Sequence, residues 1–175
     1  MKMVAKVAKS LCQALNARGH KVDTKLVVNA AQIHDALRVC DFQNLNLKYF
    51  QQRVTAKDMK IWERIRAKYG KIGHTKALTK ILKKDGYPDL ARLVSKHGFH
   101  SVSSLKTLDE KILFYADKRA EGDRLVTLKT RFSNGNKKHG HAHKPPTAIL
   151  KIQKKIYQLE AELKKLLGGK LPLSP

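Results

Sequence analysis

Apolar residues recur along this chain mainly at helical spacing. Val4, Val7, Ala8, Leu11 and Leu15 fall at i, i+3, i+4, i+7 and i+11, one face of an amphipathic helix that Gly19 stops. Asp23 or Thr24 can cap a second helix carrying Leu26, Val27, Ala30, Ala31, Ile33 and Leu37. Thr55 caps a third, through Met59, Trp62, Ile65 and Tyr69 to Gly70, with Trp62 expected in the core. A fourth runs from about His74 through Leu78, Ile81 and Leu82 to Gly86. Pro88 suits the first turn of a fifth, which ends at Gly98. Thr107 with Glu110 forms a capping box for a sixth, containing Ile112, Leu113, Tyr115 and Ala116. A shorter helix holds Leu125, Leu128 and Phe132.

No segment sustains the period-2 alternation of a strand, so the expected fold is all-α. Residues 41–54 read as a loop or insertion. Residues 133–146, SNGNKKHGHAHKPP, read as a basic linker between a domain at 1–132 and a C-terminal helix and tail at 147–175. In that helix Ile149, Ile152, Ile156, Leu159, Leu163 and Leu166 make a short heptad seam. It can pack on the domain or pair with a second copy, and packing is favoured.

Composition adds constraints. With 175 residues, 42% of them hydrophobic, the chain can bury a core. No run approaches the roughly 18 apolar residues of a membrane span. Cys12 and Cys40 are the only cysteines, which excludes a disulfide framework and fits a reducing cytoplasm. The 37 Lys and Arg against 14 Asp and Glu leave a net charge of +23. Such a field attracts anions, whether a phosphorylated small molecule or nucleic acid.

Five side chains stand out for chemistry. His34 and Asp35 sit together in an otherwise apolar helix, where a carboxylate is costly unless paired or metal-bound. Asp117 follows an apolar run in the sixth helix and precedes Lys118 and Arg119, so it either ion-pairs or ligates a cation. His74 opens one helix and His97 closes another. Each alone is an ordinary helix-end residue, but imidazoles and carboxylates together suit first-row divalent metals. His139, His141 and His143 read as an adventitious metal tract, Cys40 as a packed thiol and His100 as a loop residue.

The strings "LVVNAAQIHDALR", "GHTKALTKILKKDGYPDLARLVSKHG" and "LDEKILFYADKRAEGDRLVTLKTRF" resemble the HD-domain metal-dependent phosphohydrolases, over residues 1 to about 132. The resemblance implies an HD-like helical bundle and a divalent-metal-dependent phosphohydrolase, cleaving a phosphomonoester or phosphodiester such as a nucleotide. It implies that His34 binds a first ion, Asp35 bridges two ions, His74 and His97 hold the second, and Asp117 returns to the first. His34 and Asp35 would be the catalytic pair. One or two ions of Fe, Mn, Co, Ni, Zn or Mg are expected. Arg38, Lys118, Arg119 and Arg124 are expected to bind substrate phosphate, with Arg38 foremost, one helical turn from His34. The family pattern opens with a further histidine, whose place here falls immediately before Met1, so the expected true start lies upstream. The rival expectation is an HD-like scaffold that holds RNA or another polyanion on its basic surface without catalysis.

Overall fold

The computed structural model describes residues 1–45, 54–140 and 145–173. Helix α1 (Lys2–Asn16) buries Val4, Val7, Ala8, Leu11 and Leu15, the stripe its periodicity predicts. It lies against α2 (Thr24–Ile33), which Asp23 caps by accepting from the Leu26 amide at 2.9 Å. Helix α3 (Ala56–Tyr69) opens on a capping box of Thr55 and Asp58. Helices α4 (His74–Lys84) and α5 (Pro88–Ser95) pack on each other, and α5 also meets α2. Helix α6 (Leu108–Lys118) begins at the expected Thr107–Glu110 capping box and buries every residue from Ile112 to Ala116. Five successive buried residues leave that stretch no solvent face, and α6 accordingly contacts α1, α2, α5 and the C-terminal helix.

Among the described residues the only sheet is a two-residue hairpin, β1 (Ala120–Glu121) with β2 (Arg124–Leu125). Helix α7 (Leu128–Lys138) follows, then α8 (Thr147–Leu166). The fold is all-α, as the periodicity predicts. Helix α8 turns its heptad seam inward: Ile156, Leu159 and Leu163 are buried, and Ile152 and Leu166 pack on the same core. Among the described residues no helix is long and apolar enough to cross a membrane.

Three local expectations change. The second helix was expected to reach Leu37 but ends at Ile33. Beyond it the backbone tightens to i→i+3 bonds, Ala36 to Ile33 at 2.8 Å and Arg38 to Asp35 at 2.9 Å, leading into a 3-10 turn at Arg38–Asp41. The residues read as linker from 133 are helical to Lys138. Thr127 caps α7, Leu128 and Phe132 anchor it, and Asn134 donates to Glu121 at 2.7 Å. Residues 46–53 of the expected loop, with His141 and His143, lie outside the described residues. Helix α3, finally, buries none of its residues fully, and Trp62 is half-buried rather than core.

Candidate metal centre

Three histidines, each held through Nδ1, turn Nε2 towards one another. His34 follows the last residue of α2, and its Nδ1 lies 2.8 Å from the Ala31 carbonyl. His97 lies just past α5, with Nδ1 2.6 Å from the Val94 carbonyl. A carbonyl only accepts, so both Nδ1 atoms carry a proton, and Nε2 is the nitrogen each ring turns to the cluster. His74 is the first residue of α4. Asp41 takes its Nδ1 at 2.5 Å and its backbone N–H at 3.0 Å. The preceding Gly73 has φ 75°, and a Cβ there would meet the Asp41 carboxylate at 3.4 Å. Glycine admits the positive φ, while the contact itself is an ordinary van der Waals one.

The Nε2 atoms of His74 and His97 lie 3.1 Å apart. Asp35 Oδ1 completes a nearly equilateral triangle with them, 3.1 Å from the first and 3.4 Å from the second. Asp35, His74 and His97 thus offer three ligand atoms within 4.8 Å of one another. The other carboxylate oxygen, Oδ2, faces His34 Nε2 at 3.9 Å, and Asp117 Oδ1 approaches that same nitrogen at 3.4 Å. The two oxygens of Asp35 therefore look to two neighbouring groups, and all five singled-out residues form one connected cluster. Its three imidazoles are nearly sealed, at 1%, 7% and 4% exposure for His34, His74 and His97.

The electrostatics favour ionised carboxylates. Burial works to raise the pKa of Asp35, but hydrogen bonds from His74 and His97 and the charges of His34 and Arg38 outweigh it and hold the group well below the usual carboxylate range. Burial likewise opposes ionisation of Asp117, and the Lys118 ammonium and His34 reverse the balance. His34 is held above its ordinary value: burial pushes it down, and Asp117 and Asp35 push it further up. The donors fit a divalent ion of the first transition row, which takes mixed imidazole and carboxylate sets. Mg prefers an all-oxygen, well-hydrated shell and fits less well. The anchoring of each Nδ1 on a carbonyl or carboxylate is the arrangement that orients ligating histidines.

The cluster lies at one end of a cleft of about 810 Å³. Arg38 reaches that cleft, half-exposed, 3.3 Å from Asp41 and 3.4 Å from the His74 ring. Lys118 forms part of its floor, where the ammonium is bound by Asp117 and donates to the His97 carbonyl at 2.9 Å. Two expected phosphate binders are placed elsewhere. Arg119, one residue on along α6, turns away to donate to the Val126 carbonyl at 2.6 Å and the Tyr115 hydroxyl at 2.5 Å, with Glu160 of α8 at 3.4 Å. Arg124 is exposed on β2 and does not line the cleft. Asp41 is the functional residue that the sequence does not single out, because it sits at the start of a stretch with no periodicity. No family model, no curated protein and no solved structure matches this chain.

Proposed function

We propose that the protein is a divalent-metal-dependent phosphohydrolase acting on a phosphomonoester or phosphodiester. The observation that carries this reading is the convergence of three Nδ1-anchored imidazoles and two carboxylates beside a cleft that Arg38 and Lys118 also line. It agrees with the roles implied by the resemblance to HD-domain enzymes. Asp35, His74 and His97 would hold one cation; His34, Asp117 and the second oxygen of Asp35 offer donors for another. A bound divalent ion supplies Lewis acidity towards the phosphoryl group and makes water a competent nucleophile near neutral pH. The chain's own residues do the rest. Arg38 presents a guanidinium fork to phosphate oxygens. Lys118, fixed between Asp117 and the His97 carbonyl, keeps positive potential at the floor and holds Asp117 in place. The buried rings exclude bulk water from one side of the site.

The test is metal analysis after equilibration with Mn, Co or Ni, together with phosphate release from p-nitrophenyl phosphate and bis-p-nitrophenyl phosphate. Metal-dependent turnover that Asp35→Ala and His97→Ala abolish supports the reading. If neither substitution changes metal content or turnover, it is wrong.

A second reading, polyanion binding without catalysis, draws on α3. Lys57, Lys60, Arg64 and Lys68 follow one another at i, i+3, i+7 and i+11, are exposed, and make no ion pair among the described residues. Four such contacts to a single-stranded RNA predict a log–log salt slope of about −3. Affinity that is flat in salt, or that requires metal, would dispose of this reading.

A further inference from the structure

Helix α4 has two opposed faces. His74, Ala77, Leu78 and Leu82 are buried in the protein. Lys76, Lys80, Lys83 and Lys84 fall at i, i+4, i+7 and i+8, which places them on the other side, and all four are exposed. The helix contains no acidic residue, and none of these lysines forms an ion pair among the described residues. The lysines of α8 differ, since Lys164 lies 3.2 Å from Glu160 of the same helix. Like charges three and four residues apart on a helix repel one another, so the row on α4 costs stability when it stands alone. A partner of opposite charge removes that cost.

Two large apolar side chains bracket the row. Ile72, just before α4, is 43% exposed, and Tyr87, just after it, is 56% exposed. Single exposed apolar residues are common, but these two stand at either end of a run of unpaired cations.

The chemistry of the row selects among polyanions. Nucleic acid is held by Arg forks on phosphate and by rings on which bases stack. Here every cation of the helix is a lysine, a point charge without a fork, and Ile72 offers no ring. An anionic bilayer asks for different groups: ammonium charges over its headgroups, an aliphatic side chain at the acyl boundary, and tyrosine at headgroup level.

We infer that α4 docks the protein on an anionic lipid bilayer, its four lysines on the headgroups and Ile72 and Tyr87 entering the boundary. The contact is one of surfaces, since among the described residues no helix is long and apolar enough to cross a membrane. It stands independently of what the metal centre does.

The experiment is sedimentation of the full chain with vesicles of phosphatidylcholine alone, or of phosphatidylcholine with about one third phosphatidylserine. The protein pellets with the anionic vesicles and stays in solution with the neutral ones, and raising salt from about 0.15 M to about 0.5 M weakens the binding. Each lysine at such a surface is worth about fivefold in affinity, so the double variant Lys80→Gln, Lys83→Gln binds about 25-fold more weakly. Ile72→Ser also binds more weakly, with its salt dependence unchanged. A control removes the same charge elsewhere: Lys2→Gln with Lys6→Gln on α1, a helix packed on α2 and α6, keeps close to wild-type affinity. Equal losses in the two double variants would mean that net charge alone is at work, and the inference is overturned. Equal binding to neutral vesicles, or none to either kind, overturns it too. The same proteins are titrated with single-stranded poly(U). If the RNA is bound more tightly than the anionic vesicles, and the α4 double variant weakens that binding while Ile72→Ser does not, the face serves a phosphate backbone and the bilayer assignment fails. Every substituted side chain is exposed, so the variants keep the wild-type Tm within a few degrees, which thermal melts verify.

Discussion

Asp41 gives the sharpest test of how the centre is built. It is a positioning residue: it accepts from the Nδ1 and the backbone N–H of His74, at 2.5 and 3.0 Å, and lies 3.3 Å from Arg38. Asp41→Ala removes the partner that fixes the ring and tautomer of His74. Partners of this kind are worth about 10- to 100-fold in metal affinity, or about 1.4 to 2.8 kcal/mol. Asp41→Asn keeps one acceptor for two donors and should fall at the low end of that range. Asp41 also accepts from the first N–H of α4, so its loss costs about 1 kcal/mol of stability, a drop of about 2–4 °C in Tm for a chain of this size. The assay is competition between the protein and a chelator of known affinity for Co or Mn, with Tm recorded in parallel. A variant that melts lower but binds metal as tightly as wild type would show Asp41 to be a helix cap alone. A variant that binds metal about 10- to 100-fold more weakly while losing only those few degrees of Tm would bear out positioning.

Other outcomes follow from the same geometry. Gly73→Ala places a Cβ at φ 75° against Asp41, so it should lower Tm and weaken metal binding together, whereas Gly19→Ala, also at positive φ but with open space around it, should change Tm alone. Leu163→Ala, at 0% exposure in α8, should destabilise by about 2–5 kcal/mol in denaturant titration, and a loss under 1 kcal/mol would show that α8 contributes little to the core. Glu110 is buried against Arg92 at 3.1 Å and accepts from the backbone of Lys106 and Thr107. Burial works to raise its pKa, and those hydrogen bonds with the Arg92 charge outweigh it, so the folded value lies below the ordinary 4.5. Its contribution is therefore complete above about pH 4.5 and disappears as pH falls through the lower folded value. Glu110→Gln should cost about 1–2 kcal/mol at pH 7 and flatten stability against pH in that acid window, while a parallel curve would refute the assignment.

The helices were legible because their signals are local. Asp23, Thr55 and Thr107 are caps that the chain announces within four residues of each helix start, and the stripes of α1 and α8 bury as their spacing predicts. The five clustered side chains were picked out as a set by the resemblance to HD-domain enzymes, since each of them alone reads as an ordinary helix residue. What escaped was decided by contacts across the fold. The break after Ile33 obeys no local breaker: the sequence there runs Ala-Leu-Arg-Val-Cys, with neither Gly nor Pro. Asp41 gains its role only because Gly73 brings the start of α4 to it. Residues 133–138 look like linker by composition, yet Thr127, Phe132 and the bonds of Asn134 and Asn136 keep them helical. Lys118 and Arg119 are neighbours in sequence, and about 100° of helical rotation sends one to the cleft and the other to α8.

That last rotation couples two distant parts of the chain. Three consecutive residues at the end of α6 and its cap reach three places: Asp117 to His34, Lys118 to the His97 carbonyl, Arg119 to Glu160. The peptide that carries the carboxylate is thus braced from behind by the C-terminal helix, with the Tyr115 hydroxyl donating to Glu160 at 2.6 Å as a second strut. Seating of the C-terminal helix and tautness of the histidine–aspartate cluster are mechanically one property, and damage to either should be felt at the other.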